Sequence, residues 1–180
     1  VSCGILVGFA LGLHRFSGDV GEPVLVALYS IPKITLYPIV LLAFGIGMPA
    51  KIAFGAIHGI VPVAIFALSA VRNLNPVYAK AARVMRMPAA QIASHVLLPA
   101  AVPEIFTGIR IGFSLTLIGT LLGEMFASQR GLGYLLIQAI GLHNVRVIMA
   151  LTLLLVVIAV SASALLLAVD RRLRGTAAGV

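Results

Sequence analysis

Long apolar stretches alternate with short polar ones along the whole chain. Because a helix rises about 1.5 Å per residue, about 20 apolar residues cross the hydrocarbon core of a bilayer. The last such stretch, residues 147–169, holds no charged residue, and His58 is the only ionisable group between residues 52 and 71. The pattern predicts four full membrane spans and one partial span. The full spans are residues 25–48, 52–71, 108–127 and 147–169, and the partial span is residues 1–13.

The chain opens at Val1 inside an apolar stretch, with no charged residue before it. A signal peptide would begin with a positively charged region, so this opening does not have that pattern. We expect the sequence to be truncated at its N-terminus, within a transmembrane helix.

The basic residues collect at alternate ends of the predicted spans. One side holds the groups at residues 14–15, 72–86 and 171–174. The opposite loops, residues 47–51 and 128–146, hold only three Lys or Arg residues. Since cytoplasmic loops of membrane proteins carry an excess of Lys and Arg, this bias predicts that the basic side is cytoplasmic.

The overall composition agrees with a membrane protein. The chain is 61% hydrophobic and 10% charged, with a mean hydropathy of +1.15, whereas a soluble domain holds about 25% charged residues. The net charge of +8 comes without the mixed basic and aromatic patch that nucleic-acid binding needs, so we expect no nucleic-acid partner. Cys3 is the only cysteine, which leaves no internal disulfide, and we interpret it as a small buried residue.

Glycines recur at four-residue spacing inside the predicted spans. This spacing lets helix backbones approach closely in lipid, where packing drives helix association. Glycine is also common in membrane helices for other reasons, but four such sets favour real helix contacts. The sets are Gly4, Gly8 and Gly12, then Gly55 and Gly59, Gly108 and Gly112, and Gly119 and Gly123.

The segment of residues 72–107 does not have the composition of a span. Residues 77–87 and 89–98 predict two short helices joined by a bend, because Pro88 suits the first turn of a helix and Pro99 is expected to end one. An ordinary solvated loop is the alternative. The apolar residues Ile92, Val96 and Leu97 favour a hairpin with one face to bury.

This hairpin resembles the EAA motif of the permease subunits of binding-protein-dependent ABC importers. That motif reads Glu-Ala-Ala, three residues, Gly, nine residues, Ile, one residue and Leu-Pro. The chain has Lys80-Ala81-Ala82, Arg86, Val96 and Leu98-Pro99 at this spacing. Further matches resemble the nitrate, sulfonate and taurine branch of these permeases. They are Ile31-Pro32-Lys33, Phe44-Gly45-Ile46-Gly47, Pro103-Glu104-Ile105, Gly108-Ile109-Arg110, Glu124-Met125 and Arg130-Gly131-Leu132-Gly133-Tyr134.

The resemblance implies an all-α transmembrane bundle that forms the path for a small anionic solute in a bacterial inner membrane. It also implies four partners: an ABC ATP-binding subunit, an extracytoplasmic solute-binding protein, a second permease copy as a homodimer, and the lipid bilayer. The hairpin of residues 79–98 would be the coupling element that docks on the ATP-binding subunit. Its coupling residues would be Lys80, Ala81, Ala82, Arg86, Ala89, Leu98 and Pro99.

Two positions of the motif carry other residues in this chain. Lys80 stands where the family motif has Glu, and Arg86 stands where it has Gly, at the bend between the two short helices. If the bend requires a positive φ, Arg86 is expected to cost about 1 kcal/mol relative to Gly. Alternatively, Pro88 fixes a bend that needs no glycine.

The sequence predicts no catalytic, cofactor or metal site, and the chain is not expected to be an enzyme. A P-loop needs Gly-Lys before Ser or Thr, and no lysine of this chain follows a glycine. Two other function classes remain. A secondary transporter would need ionisable pairs near the midplane, which residues 52–71 and 147–169 do not supply, and a membrane scaffold would not need the hairpin.

Glu124 is an acidic residue near the end of a predicted span, where a carboxylate is costly and often functional. It could shape the outer mouth of a solute path, or it could pair with Arg130 or Arg146. Because a carboxylate would repel an anionic solute, we favour the structural pairing.

Overall fold

The structure of the protein, a computed structural model, describes residues 1–74, 76–126 and 128–177. Within these ranges it describes all side chains except those of Arg15, Pro76, Ala79, Arg83, Ala89 and residues 172–177. The described ranges are largely helical and contain no strand, which confirms the all-α fold class.

Helices follow one another along the chain with short breaks. The order is α1 (Ser2–Leu13), α2 (Arg15–Ser30), a 3₁₀ turn (Lys33–Leu36), α3 (Tyr37–Phe44), α4 (Met48–Arg72), α5 (Pro76–Val84), α6 (Ala89–Gln91), a π-helical turn (Ile92–Leu97), α7 (Leu98–Phe126), α8 (Leu132–Gly141) and α9 (Val145–Ala177).

Three stretches of the described chain are long and apolar enough to cross a membrane. They are Met48–Arg72, Ile92–Phe126 and Val145–Arg171, and Phe16–Ser30 with Lys33–Phe44 could form a fourth, broken span. The predicted span of residues 25–48 is therefore not one continuous helix. Ile31 is extended, with φ −63° and ψ 130°, because the ring of the following Pro32 disfavours helical geometry in the residue before it.

The chain forms two compact units. The first comprises Val1–Ile31, Ile60–Ile111 and the chain from Asp170 onward, and the second comprises Pro32–Gly59 and Gly112–Val169. Helices α4, α7 and α9 each contribute residues to both units.

In the first unit, α1 packs directly on the backbone of α4. A Cβ atom at Gly4 would lie 2.7 Å from the carbonyl oxygen of Ile60, and one at Gly8 would overlap the carbonyl oxygen of Ala64. Gly12 makes a similarly close approach to Val71. The predicted glycine contacts are thus confirmed for α1, where the absence of side chains lets two backbones meet.

An ion-pair cluster also joins α2 to the end of α4 in the first unit. The Arg72 guanidinium donates to the Glu22 carboxylate over 2.7 Å and also to Asp19. Arg72 therefore ends α4 with its charge paired, immediately before the hairpin begins.

In the second unit, aromatic and small residues form the core. Tyr37 donates its hydroxyl to the carbonyl of Gly123 over 2.7 Å and packs edge-on against Phe54, with the ring centroids 4.7 Å apart. Gly55 and Gly59 lie against Thr116. These contacts confirm the glycine prediction for α4 and α7 within this unit.

Helix α9 has a different environment. Between Val145 and Val169 none of its residues is buried within the chain. Exposure of so large an apolar surface to water is unfavourable, whereas lipid solvates it readily. The exposure of α9 therefore agrees with the membrane location that the composition predicts.

The contact at Gly8 gives a direct test of α1 packing. We expect Gly8→Ala to lower the free energy of unfolding by about 1–3 kcal/mol, because the added methyl group forces α1 away from Ala64. The measurement is thermal or denaturant unfolding of the purified full-length protein in detergent. Gly141→Ala is the matched control, since a Cβ atom there meets nothing within 4 Å. Equal stability of the two variants would contradict the contact.

Candidate functional site

The hairpin consists of α5, a tight turn, α6 and the π-helical turn. Helix α5 packs against the π-helical turn, so the two arms of the hairpin support each other. Ala82 and Ile92 are both buried, at 3% and 9% exposure. A solvated loop would have no such interior, and the hairpin is therefore a structured element.

The turn after α5 is closed by backbone hydrogen bonds around a left-handed residue. The Met85 N–H donates to the carbonyl of Ala81 over 3.0 Å, and the Met87 N–H donates to that of Ala82 over 3.1 Å. Arg86 lies between them with φ +55°. The bond that spans Met87 and Ala82 is the signature of a Schellman motif, whose left-handed position is usually glycine.

This geometry decides between the two explanations of the bend. Arg86 adopts the positive φ itself, so Pro88 does not remove the need for a left-handed residue. An L-residue with a side chain costs about 1 kcal/mol more than glycine in this conformation. Pro88 has a separate role, because its carbonyl accepts hydrogen bonds from the N–H groups of Gln91 and Ile92 and so starts the second arm.

The expectation that Pro99 ends the second helix is wrong. The helix passes through the π-helical turn into α7, and Pro99 is the second residue of α7. The Leu98 N–H donates to the carbonyl of Ala93, five residues earlier. Proline cannot donate a hydrogen bond, and a local widening of the helix into π geometry is a common way for a helix to accommodate such an interruption.

The hairpin exposes only some of the residues predicted for coupling. Lys80, Ala81 and Arg86 are exposed, as are Leu98 and Pro99. Ala82 is buried inside the hairpin, so its small size serves the packing of the two arms. The side chain of Ala89 lies outside the described part of the chain.

The hairpin has two apolar faces, and the sequence predicted one of them. Ile92 is buried and Val96 and Leu97 are half-buried, as a face packed on the hairpin requires. A second apolar face, which the sequence prediction did not include, is exposed on α5. The spacing of Val77 and Val84, seven residues apart on one side of a helix, is the signal that could have found it.

A second polar cluster lies in the second unit, around Glu124. The Lys51 ammonium is 3.8 Å from Glu124 Oε1 and donates to the carbonyl of Arg130 over 2.8 Å. The Gly133 N–H donates to Glu124 Oε2 over 2.9 Å. The structural pairing of Glu124 is therefore confirmed, but its predicted partners, Arg130 and Arg146, are wrong.

The reason for the different partner is the position of the helix ends. The first turn of α4 carries Lys51 to the last turn of α7, whereas Arg130 reaches the cluster through its backbone carbonyl. The carboxylate of Glu124, which belongs to α7, also lies against the N-terminus of α8. A carboxylate is favoured there by the helix dipole and by the free N–H groups of the first turn.

Two glycines let the chain wrap around this carboxylate. Gly131 has φ +126°, and a Cβ atom there would overlap the carboxylate of Glu124. A Cβ atom at Gly133 would lie 2.5 Å from the carbonyl of Leu121. The sequence Arg130-Gly131-Leu132-Gly133 is thus explained by the close approach that the carboxylate requires.

Two cavities flank the cluster within the second unit. One, of about 530 Å³, is lined by Lys51 and by residues 46–48 and 128–130. The other, of about 500 Å³, is bordered by Glu124 and by apolar residues of α7 and α9 such as Leu117 and Ile158. Neither cavity is lined by a group of metal-ligating side chains, and among the described residues no such group occurs.

These helices define a multi-pass α-helical membrane protein with a structured hairpin between two membrane-length helices. Residues 1–175 match the family described as "Binding-protein-dependent transport system inner membrane component", and the chain belongs to this family. The family is one of transport components and not of enzymes.

Several named relatives are permeases. The taurine transport system permease protein TauC of Escherichia coli is 34% identical over 136 residues, or 76% of this chain and 50% of that protein. The nitrate import permease protein NrtB of Synechocystis sp. is 32% identical, with the same two shares. The bicarbonate transport system permease protein CmpB of Synechococcus elongatus is 34% identical over 76% of this chain and 49% of that protein. The chain spans about half the length of these relatives, whose names agree with the branch predicted from the motifs.

A double-mutant cycle on the Lys51–Glu124 pair tests the second cluster. We expect Lys51→Met alone to lower the free energy of unfolding by about 1–3 kcal/mol, because it leaves a largely buried carboxylate without its cation. Lys51→Met combined with Glu124→Gln should recover part of that loss. The measurement is denaturant unfolding in detergent, with the exposed Arg146→Met as control. Additive effects of the two substitutions would show that the pair is not coupled.

Proposed function

We propose that the chain is the transmembrane permease subunit of an ATP-driven importer of a small anionic solute, coupled to a separate ATP-binding subunit through the hairpin of residues 79–98. Family membership supports the transport role. The observation that carries the coupling role is the closed hairpin, whose turn keeps a left-handed residue at Arg86, where the resembled motif has glycine.

The hairpin is suited to transmit a displacement. Its second arm continues without interruption into a membrane-length helix, since Ile92–Phe126 is one helical run of 35 residues. A partner bound to the hairpin would therefore act directly on a helix that continues into the membrane. Rigid-body movement of packed helices is a common route by which such a local displacement becomes a gating change.

The anionic character of the solute rests on two observations. The relatives are named for taurine, nitrate and bicarbonate, and each of these carries a small oxyanion group. In this chain Lys51 neutralises Glu124, so the cluster does not oppose an anion with an unpaired carboxylate. The basic Lys51 also lines the 530 Å³ cavity.

The partners follow from this role. The importer would contain an ATP-binding subunit on the cytoplasmic side, an extracytoplasmic solute-binding protein on the other side, and a second copy of the permease in a bacterial inner membrane. The uncharged stretch of α9 from Val147 to Val169, in which no residue is buried, supplies surface for lipid and for a second copy.

Site-specific cross-linking tests the contact with the ATP-binding subunit. The full-length chain would carry Cys3→Ser and Ala89→Cys, and would be co-expressed with the ATP-binding subunit encoded beside it, carrying single cysteines on its permease-facing surface. We expect a cross-link whose yield changes on nucleotide binding, because the hairpin moves with the partner. Leu142→Cys, exposed in the turn after α8 on the predicted outer side, is the matched control and should give none. If Ala89→Cys gives no cross-link although both proteins are present and folded, the coupling role is wrong.

Substitution at Ala82 tests whether the packed structure of the hairpin is required for transport. We expect Ala82→Glu to abolish ATP-dependent uptake in proteoliposomes while membrane insertion is retained, because a buried carboxylate would force the hairpin arms apart. Ala82→Ser, which keeps the small size, should retain most of the uptake. Normal uptake by Ala82→Glu would contradict a role of the packed hairpin in coupling.

A further inference from the structure

We propose that the exposed face of α5, bordered by Lys80 and Arg86, docks into a protein groove that has an apolar floor and an acidic rim. This inference rests on the proposed function, to which it adds the chemistry of the surface that the ATP-binding subunit must present. We call this surface the basic docking face, and it consists of Val77, Tyr78, Lys80, Ala81 and Val84 on α5 with Met85 and Arg86 in the turn that follows.

The centre of the basic docking face is an apolar stripe at helical spacing. Val77 and Tyr78 are 60% and 52% exposed, and one to two turns later Val84 and Met85 are 84% and 74% exposed. Ala81 lies between these pairs and is also exposed. Large apolar side chains this exposed on a structured polar segment mark an interaction surface.

The opposite side of α5 is already covered by the hairpin itself. Ala82 is buried, and α5 packs on the π-helical turn of the second arm. The apolar stripe therefore points away from the hairpin interior, and the chain's own second arm does not cover it.

The border of the stripe is positively charged, with no acidic residue nearby in the sequence. Residues 73–103 contain Lys80, Arg83 and Arg86 but no Asp or Glu. Within the described part of the chain, neither Lys80 nor Arg86 forms an ion pair with a carboxylate. Carboxylates around a groove of a partner would complement these charges.

The conformation of Arg86 gives a separate reason to assign its side chain a function. Glycine would adopt the φ of +55° without strain, and it is the residue of the resembled motif at this position. Arginine keeps the same turn at a conformational cost and adds an exposed charged side chain directly after Val84 and Met85 in the sequence. Strained residues of this kind concentrate where binding or switching needs the side chain.

A protein groove fits these features better than an anionic membrane surface does. The stripe has a notch, because the small Ala81 separates two pairs of larger side chains. A ridge on a protein wall can fill such a notch, whereas a fluid lipid surface gains more from a larger apolar residue at that position. Arg86 also presents its charge from a tight turn, and the whole of α5 is only nine residues long.

The test measures binding of the purified ATP-binding subunit to the full-length permease in nanodiscs of neutral lipid. The double charge reversal Lys80→Glu with Arg86→Glu is expected to weaken binding about tenfold or more. The wild-type affinity should fall as NaCl is raised from about 0.05 M to about 0.3 M, because salt screens the charged rim. Arg86→Lys, which keeps the charge, should bind nearly as wild type, and Arg146→Glu, exposed elsewhere, is the matched control.

A compensating change identifies the acidic rim directly. Substitution of groove carboxylates of the ATP-binding subunit by Lys should restore binding to the reversed permease. Should the double reversal fail to insert, the single variants Arg86→Gln and Lys80→Gln give the same comparison with a smaller effect.

The outcomes distinguish this inference from the proposed function. Unchanged affinity and salt dependence in the reversed permease would overturn the basic docking face, while the Ala89→Cys cross-link would still support coupling. Loss of that cross-link would instead remove the coupling role itself. If the reversal alters only the binding of the permease to anionic lipid and not to the ATP-binding subunit, a membrane surface is the partner and the inference is wrong.

Discussion

A bilayer offers no water to the peptide backbone, and this constraint determines the rest of the structure. Every N–H and C=O group in the hydrocarbon region must be paired within the chain, so helices are the only solution available to this sequence. Specific association must then come from close packing, because lipid is as apolar as the helices themselves. Gly8 against Ala64 and Gly59 against Thr116 meet this need in the two units, each by bringing one helix onto the backbone of another.

The sequence was informative wherever one physical signal dominated. Long apolar runs identified the membrane-length helices, since α4, α7 and α9 each contain an apolar stretch with few charges that is long enough to cross a bilayer. The break at Ile31 was less visible, because an apolar run continues through Pro32 and hydropathy alone does not register a backbone constraint. The matched spacing around Arg86 located the hairpin, but spacing could not decide whether its bend used a left-handed residue or a proline.

The polar cluster around Glu124 could not be predicted because its members are distant in sequence. Lys51 and Glu124 are joined only when the ends of α4 and α7 come together, and the Arg130 carbonyl carries no signal in a sequence. The arginines predicted as partners of Glu124 lie in the adjoining loop, close to it in sequence. The glycines at positions 131 and 133 were visible as part of a motif, but their reason, the room needed by a carboxylate, depends on the folded geometry.

The π-helical turn at the end of the hairpin fixes the rotational phase of the rest of the hairpin relative to α7. A π-helical turn holds more residues than an α-helical turn, so it shifts the faces of everything that follows it around the helix axis. Each residue of an α-helix accounts for about 100° of rotation. Removing or adding one residue between Ile92 and Leu98 would leave both the hairpin and the first turns of α7 helical, yet it would turn the buried Ala101 and Ile105 away from their neighbours in the first unit. The number of residues between Arg86 and Pro99 therefore sets which face the turn at Arg86 presents relative to the buried side of α7.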